Sequence, residues 1–386
     1  MKSTKNGVQI IQKTRNETPE LRKYGLLLIL ALFTAAVIQN RIGIESLVGG
    51  FLVACLLLFI LYRDIVRYKP QYMKKFNMLV LLGSMIICTL FFGRVFHYVL
   101  LNLSKGLGSL SIEGAVFGMP IPAGAMLIAL LFDFHTAIVF SFIVSILSGL
   151  WLNDAVYPIF AYVGSLTAAF SVIRCKKRSA ILRGGLYVGC ANIITAVILL
   201  LYQGQLFTEK AVSTLLFATS AGVSVTAIVS LILPVLEYLF NVTTDISLLE
   251  LLDLNQPLMK NLMINAPGTY HHSVIVGNLV ESAAEAVGVN PLLARVSAYY
   301  HDIGKMKMPE YFVENYISGG SKHDKLTPHM STIIITSHVK EGVELARQHK
   351  LPQSIVDIIQ QHHGNGLITY FYHKAKDQHP ADSPLE

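Results

Sequence analysis

The sequence predicts an all-α protein in which a polytopic helical membrane domain is followed by an all-helical soluble domain. The chain has 386 residues, of which 53% are hydrophobic and only 14% are charged, whereas soluble domains usually carry about 25% charged residues. Long apolar runs fill residues 24–240. After residue 265 the composition changes, and residues typical of helix starts and helix ends separate short amphipathic segments.

Eight apolar runs are candidate membrane spans. A helix needs about 20 residues to cross the ~30 Å hydrocarbon core, and the runs between residues 116 and 173 have only 16–17 residues each, which reach about 25 Å. Seven or eight spans are therefore predicted, and the short runs either thin the bilayer locally or include a re-entrant pair. The runs are 24–39, 46–63, 77–100, 116–132, 137–152, 157–173, 184–202 and 212–240.

The positive charge of the chain is concentrated at the ends of these runs. The N-terminal tail and the segments 63–76 and 174–183 are rich in Lys and Arg, and the opposite loops carry few. This distribution is the positive-inside pattern. It predicts a cytosolic N-terminus and, with eight spans, a cytosolic C-terminal domain. The net charge of +7 is thus accounted for by residues that orient the spans in the lipid bilayer. No nucleic acid polymer is therefore expected as a partner.

Composition and charge divide the chain into five predicted regions. A cytosolic tail is followed by the membrane domain, an amphipathic connector, a helical metal-binding domain and a polar tail. Their bounds are 1–23, 24–240, 241–265, 266–376 and 377–386.

Histidines are concentrated in the C-terminal part, where ten of the thirteen lie between residues 271 and 373. Asn290–Pro291 and Thr327–Pro328 have the composition of helix starts, and Pro352 opens a further helix. A fourth helix is expected to begin near His272, with Val276, Leu279, Val280 and Ala283 as its apolar stripe. Metal-competent side chains thus fall on four helices, two of which end in His301–Asp302 and His362–His363.

This set of side chains predicts a metal site. Imidazole and carboxylate ligands suit zinc, iron and manganese, and Asp302 has two oxygens with which it could bridge two ions. Five histidines with one bridging carboxylate exceed the needs of one ion. An isolated helical histidine is usually an ordinary polar residue, and five others are read in that way: His271, His323, His329, His349 and His373.

Four ordered motifs resemble the HD hydrolase domain of bacterial multi-span membrane proteins, the seven-transmembrane HD family, which includes cyclic di-AMP phosphodiesterases. The motifs are YHHS (270–273), HDIGK (301–305), SHV (337–339) and QQHHGNG (360–366). The resemblance covers the spans, the connector and the domain to about residue 376. It implies a multi-pass protein of the bacterial cell membrane with a cytosolic HD domain, and a homodimer as one form of association.

The resemblance also implies the site residues. His272, His301 and Asp302 would bind one divalent metal, and Asp302, His338, His362 and His363 the second, with iron or manganese favoured. Asp302 and Lys305 would be the catalytic residues. Lys305 would steady a substrate phosphate as a point charge, although a solvated lysine beyond a helix end is an equally weighted alternative.

The implied activity is hydrolysis of cyclic di-AMP to linear pApA by a metal-bound hydroxide. An alarmone remains an open alternative, whereas cyclic di-GMP is disfavoured because HHGNGL (362–367) lacks the GYP signature of that branch. Few ionisable residues lie within the spans, so a transporter is also disfavoured.

Two departures from the family pattern accompany the resemblance. The family carries a large extracellular domain between its first two spans, where this sequence has residues 40–45. It also supplies a last aspartate ligand from a helix beyond the His–His pair, and this sequence ends at Glu386. The first metal is therefore expected to have three protein ligands, and a catalytically weak receptor or nucleotide-binding module is the alternative function.

Overall fold

The structure is a computed structural model that describes residues 20–40, 43–73, 76–108, 110–173, 175, 177–316 and 321–378. These residues form helices and turns without a strand, which confirms the predicted all-α class. The chain divides into two compact units, Met1–Val242 and Thr243–Glu386. Most of both predicted polar tails lies outside the described residues.

Eight main helices build the described part of the first unit. A four-residue helix, Pro70–Met73, follows the second of them, and a 3-10 segment, Glu113–Gly118, precedes the fourth. The main helices are α1 Glu20–Ile38, α2 Ile44–Tyr68, α3 Phe76–Leu107, α4 Pro122–Leu131, α5 Phe134–Leu152, α6 Tyr157–Ser171, α7 Ser179–Tyr202 and α8 Glu209–Phe240.

Among the described residues, seven helical segments are long and apolar enough to cross a membrane. They are α1 to α3, the segment Glu113–Leu131 that contains α4, and α5, α7 and α8. The helix α6 has 15 residues and a length of about 22 Å, which is shorter than the hydrocarbon core. The multi-pass membrane domain is thus confirmed, with α6 as the short run.

The short helix α6 is nevertheless packed along its whole length. At its start, Phe160 lies edge-on to Phe117, with ring centroids 4.8 Å apart. At its end, Phe170 contacts Phe134 at the start of α5, at 6.0 Å. Between them a Cβ on Gly164 would lie 2.6 Å from Asn192 Oδ1, so α6 and α7 approach through a glycine. The helix therefore extends from the 3-10 segment to the first turn of α5.

Polar contacts join helix ends at two levels of this unit. At one level His135 contacts Asp64 at 3.0 Å, and Asp133 accepts a hydrogen bond from Tyr72 at 3.0 Å. At the other level Lys210, at the start of α8, pairs with Glu113. Because consecutive helices run in opposite directions, each of these contacts joins helix ends that lie on the same side of the unit.

Seven helices and four 3-10 segments form the described part of the second unit. The helices are α9 Asp245–Leu251, α10 Pro257–Asn265, α11 Pro267–Ala286, α12 Pro291–Tyr300, α13 Pro328–Gln348, α14 Gln353–Gln361 and α15 Thr369–Gln378. The 3-10 segments are Ile303–Lys307, Pro309–Tyr311, Val313–Asn315 and Lys322–Lys325.

Side-chain caps start two of these helices as predicted. The Asn290 carboxamide oxygen accepts a hydrogen bond from the Leu293 N–H at 3.0 Å. The Thr327 hydroxyl accepts one from the Met330 N–H at 3.3 Å. Each cap satisfies an amide that has no partner within the helix. After α14, Gly364 adopts a φ of 58°, which ends the helix.

An apolar cluster joins most helices of the second unit. The helices α9 and α10, which occupy the predicted connector, contribute Leu248, Leu258, Met259 and Leu262 to it. Ala266, between α10 and α11, is also buried in it, and the other buried members come from α12 to α14 and from the segment after α12: Val296, Tyr299, Tyr300, Ile303, Ala346, Ile355, Val356 and Ile359. The segment before the histidine-rich region thus packs as part of its core.

The predicted apolar stripe of α11 is wrong at Leu279 and Ala283, which are exposed, whereas Val276 and Val280 are half-buried. Leu279 is 66% exposed, and the buried face of the helix carries Thr269, Ser273, Gly277 and Ala284. A Cβ on Gly277 would lie 2.5 Å from a ring carbon of Tyr299. The helix therefore approaches α12 along its small residues, and this orientation turns Leu279 outwards. The helix also begins at Pro267, one turn earlier than predicted.

Candidate metal centre

Four helices of the second unit bring six side chains to one place. His272 lies in the second turn of α11, and His338 lies within α13. His301 and Asp302 follow the last residue of α12, and His362 and His363 follow the last residue of α14. The helix ends therefore supply the two adjacent pairs, and the interiors of α11 and α13 supply the single histidines.

Two glycines set the distance between the His–Asp pair and α13. A Cβ on Gly304 would lie 1.9 Å from the His338 carbonyl oxygen and 2.5 Å from the Gly342 nitrogen. Only a residue without a side chain permits this backbone contact. Since Gly304 lies two residues after Asp302, the contact brings the Asp302 carboxylate to the turn of α13 that carries His338.

The six side chains form two groups that share Asp302. Within each group the ligand atoms lie within 4.8 Å of one another. One group is His272, His301 and Asp302, and the other is Asp302, His338, His362 and His363. These are the same two ligand sets that the sequence resemblance implies.

Hydrogen bonds to the backbone orient three of the imidazole rings. His301 Nδ1 donates to the Ala298 carbonyl at 2.7 Å, and His362 Nδ1 donates to the Ile359 carbonyl at 2.7 Å. His338 Nδ1 makes the same bond to the Ile335 carbonyl. Because a carbonyl oxygen only accepts, Nδ1 carries a proton in each ring, and Nε2 is the nitrogen available to a metal.

The Nε2 atoms and the carboxylate meet in a geometry that fits a cation. His338 Nε2 lies 3.4 Å from His362 Nε2 and 3.2 Å from His363 Nε2. Facing lone pairs at these distances repel unless a proton or a cation lies between them. Burial lowers the pKa of His338, which disfavours the proton. Asp302 Oδ1 is buried without a hydrogen-bond partner, so the donor set fits divalent ions.

The Asp302 carboxylate is held in its charged form. Burial alone would raise its pKa, but the contacts with His301 and His362 and the charge of Lys305 outweigh burial and lower the pKa well below its usual range. For His301, burial opposes the charged form, and the contact with Asp302 raises its pKa above the ordinary value. The cluster thus presents an ionised carboxylate to any ion that it binds.

Lys305 is part of this cluster. Its ammonium lies 2.8 Å from Asp302 Oδ2 and 2.8 Å from Glu314 Oε1, and its side chain is only 14% exposed. Burial alone would lower the pKa of Lys305, but the two carboxylates raise it. The alternative reading of Lys305 as a solvated lysine is therefore wrong.

The five histidines predicted to be ordinary polar residues belong to neither group. His323 is buried, and its Nε2 contacts the Tyr311 carbonyl at 2.9 Å. Two further residues belong to this environment without a sequence motif that marks them: Glu314, which contacts Lys305, and Thr269, which donates a hydrogen bond to Glu314. Glu314 lies in a short 3-10 segment, where no periodic pattern distinguishes a buried carboxylate from a solvated one.

Comparison with known proteins assigns both parts of the chain. The family model described as a 7TM receptor with intracellular HD hydrolase matches residues 44–244, which are more than half of the chain. The chain belongs to this family. A second model, the HD domain, matches residues 269–384 of this seven-transmembrane HD protein and includes all six clustered side chains.

Two relatives of this seven-transmembrane HD protein are named cyclic-di-AMP phosphodiesterase PgpH. The Bacillus subtilis protein is 41% identical over 67% of this chain and 38% of its own length. The Listeria monocytogenes protein is 35% identical over 86% of this chain and 45% of its own length. The chain thus spans less than half the length of these relatives.

A solved structure is also similar, the L. monocytogenes PgpH HD domain in complex with cyclic di-AMP. It is 51% identical over 33% of this chain and 60% of its own length, with a TM-score of 0.32.

Proposed function

We propose that the chain is a membrane-anchored, metal-dependent phosphodiesterase that opens cyclic di-AMP to linear pApA. The observation that carries the proposal is the cluster of five histidines around the shared, buried Asp302. The family assignment supports a hydrolase, and the names of the two PgpH relatives support the substrate. An HD domain with this donor set fits two divalent ions, with iron or manganese favoured by nitrogen and oxygen ligands.

The roles of the residues follow from their chemistry. His272 and His301 would hold one ion, His338, His362 and His363 the other, and Asp302 would bridge both. When bound, such ions supply a nucleophile at neutral pH and stabilise the attacking and leaving oxygens of a phosphoryl displacement. Lys305, at the edge of the cluster, adds a fixed positive charge for a non-bridging phosphate oxygen. The hydrogen bonds from Nδ1 to the backbone hold the rings of His301, His338 and His362 in a fixed orientation, with Nε2 towards the cluster.

One experiment separates this proposal from the alternatives. The protein is purified anaerobically in detergent, its bound metal is counted, and cyclic di-AMP, cyclic di-GMP and an alarmone are offered side by side. We expect about two metal equivalents per chain and turnover of cyclic di-AMP to pApA. Cyclic di-AMP binding without turnover, with one metal or none, would support the nucleotide-binding module instead. Preferential turnover of either other nucleotide would contradict the substrate.

We also propose that the HD domain is cytosolic and that α6 is an eighth crossing. Its rings contact Phe117 at one end and Phe134 at the other, which supports a helix that connects the two faces of the membrane domain. Eight crossings return the chain to the side on which it started. The basic segments at 63–76 and 174–183 then lie on the same side as the HD domain, as the positive-inside pattern requires.

Labelling of single cysteines tests this topology. In a variant that lacks the native cysteines, we expect Thr208→Cys to react with a membrane-impermeant maleimide in intact cells, because the segment before α8 would face outwards. Lys177→Cys, in the basic segment before α7, is the matched variant and should react only after the cells are opened. Both side chains are exposed. Labelling of both variants from the same side would contradict eight crossings.

A further inference from the structure

The position of Lys305 raises an electrostatic difficulty. Its ammonium contacts the same carboxylate that both ligand groups share. An ammonium beside two divalent cations is repelled strongly, since such charges are poorly screened within a protein. Lys305 can remain there only if another negative charge outside the ligand set holds it. Glu314, with its Oε1 2.8 Å from Lys305 Nζ, is that charge.

Glu314 is itself anchored to the start of α11. Thr269 Oγ1 donates to Glu314 Oε1 at 3.1 Å, and Asn315 Nδ2 donates to Thr269 Oγ1 at 2.9 Å. The Thr269 N–H donates to Asn315 Oδ1 at 3.0 Å, and Thr269 is fully buried. These bonds attach the segment Val313–Asn315 to the first turn of α11, the helix that carries His272.

Backbone packing reinforces this attachment. A Cβ on Gly268 would lie 1.7 Å from the Glu314 carbonyl oxygen, so the segment touches the backbone of α11 directly. The neighbouring Phe312 packs on the other side. Its ring centroid is 4.9 Å from Lys305 Nζ and 5.7 Å from the His338 ring. Lys305 is thus held between a carboxylate and an aromatic ring, both on the loop after α12.

We propose that Glu314 is a positioning residue for Lys305, an inference that rests on the proposed phosphodiesterase function. Glu314 balances the charge of the ammonium and holds it at the edge of the His/Asp cluster, where a substrate phosphate meets it. Through Thr269, the same carboxylate joins the lysine to the helix that carries His272. The substrate-binding charge and a metal-ligand helix are therefore fixed by one side chain that binds no metal.

Four variants of the full-length protein test the proposal: Glu314→Ala, Glu314→Gln, Lys305→Ala and the double variant with both alanines. We expect Glu314→Ala to lower kcat/KM for cyclic di-AMP by about 10- to 100-fold while bound metal stays near the wild-type amount. The double variant should be no worse than Lys305→Ala, because Glu314 acts through that lysine. Glu314→Gln keeps an acceptor for Thr269 but loses the charge. Its thermal stability should therefore exceed that of Glu314→Ala, whereas its activity should stay below the wild-type value.

Glu310→Ala is the matched control, because Glu310 lies in the preceding 3-10 segment and pairs with the exposed Lys322 at 3.4 Å. It should leave activity and metal content unchanged. Wild-type activity in Glu314→Ala would overturn the proposal, and so would effects of Glu314 and Lys305 that multiply in the double variant. Loss of metal in Glu314→Gln would also overturn it, since the role would then be structural. A wild-type protein that hydrolyses no cyclic dinucleotide would refute the proposed function first.

Discussion

Asp302→Ala is expected to abolish both metal retention and hydrolysis. The carboxylate is the one side chain common to both ligand groups, so its loss weakens both sites together. It also leaves Lys305 and the imidazoles without their buried counter-charge. We expect kcat/KM for cyclic di-AMP to fall by about 10³-fold or more, since groups that act as a unit on the transition state lose most of their effect together. Metal analysis and single-turnover kinetics on the purified variant measure both effects.

Asp357→Ala is the control for that change. Asp357 is an exposed carboxylate on α14, the helix that leads to His362, and it accepts a hydrogen bond from Gln353 at 2.7 Å. Because it touches neither ligand group, activity and metal content should remain at wild-type values. Retained hydrolysis in Asp302→Ala would refute the assignment of the reaction to this cluster.

Removal of metal is expected to lower the unfolding temperature of the second unit. A ligand that binds only the folded state stabilises it by about 2.7 kcal/mol at a hundred times its Kd. For a domain of roughly 150 residues, that energy corresponds to about 5–10 °C. The expected shift follows from the Nε2 atoms of His338, His362 and His363, which face one another at 3.2 and 3.4 Å and repel without an ion.

Two signals make the test selective. Circular dichroism follows helix content in both units, whereas the chain has one tryptophan, Trp151, in α5 of the membrane unit. Chelation should lower the transition seen by circular dichroism and leave the Trp151 fluorescence transition in place. Addition of manganese or ferrous iron should raise the unfolding temperature of the wild type back to its original value but should not raise that of Asp302→Ala. An unchanged transition after complete chelation would contradict a metal site that stabilises the fold.

The helices of the second unit were predictable because their ends carry local signals. Asn290 and Thr327 cap the helices that they precede, and a cap depends only on residues within one turn. The six clustered side chains were predictable as a set, because their motifs resemble a known family. The buried face of α11 was not predictable from periodicity. It depends on the contact of Gly277 with Tyr299, which lies on another helix.

The sequence by itself determined the class of the protein, the membrane runs, and the identity of the metal-competent side chains. The first two properties follow from composition and periodicity, which act over a few residues, and the third follows from motifs that resemble a known family. The tertiary structure decided the environment of Lys305, which local sequence left equally open between a solvated lysine and a lysine buried at the site. The ammonium of Lys305 contacts the carboxylates of Asp302 and Glu314 and the ring of Phe312. The burial and the charge balance of this lysine arise only when folding brings these groups together.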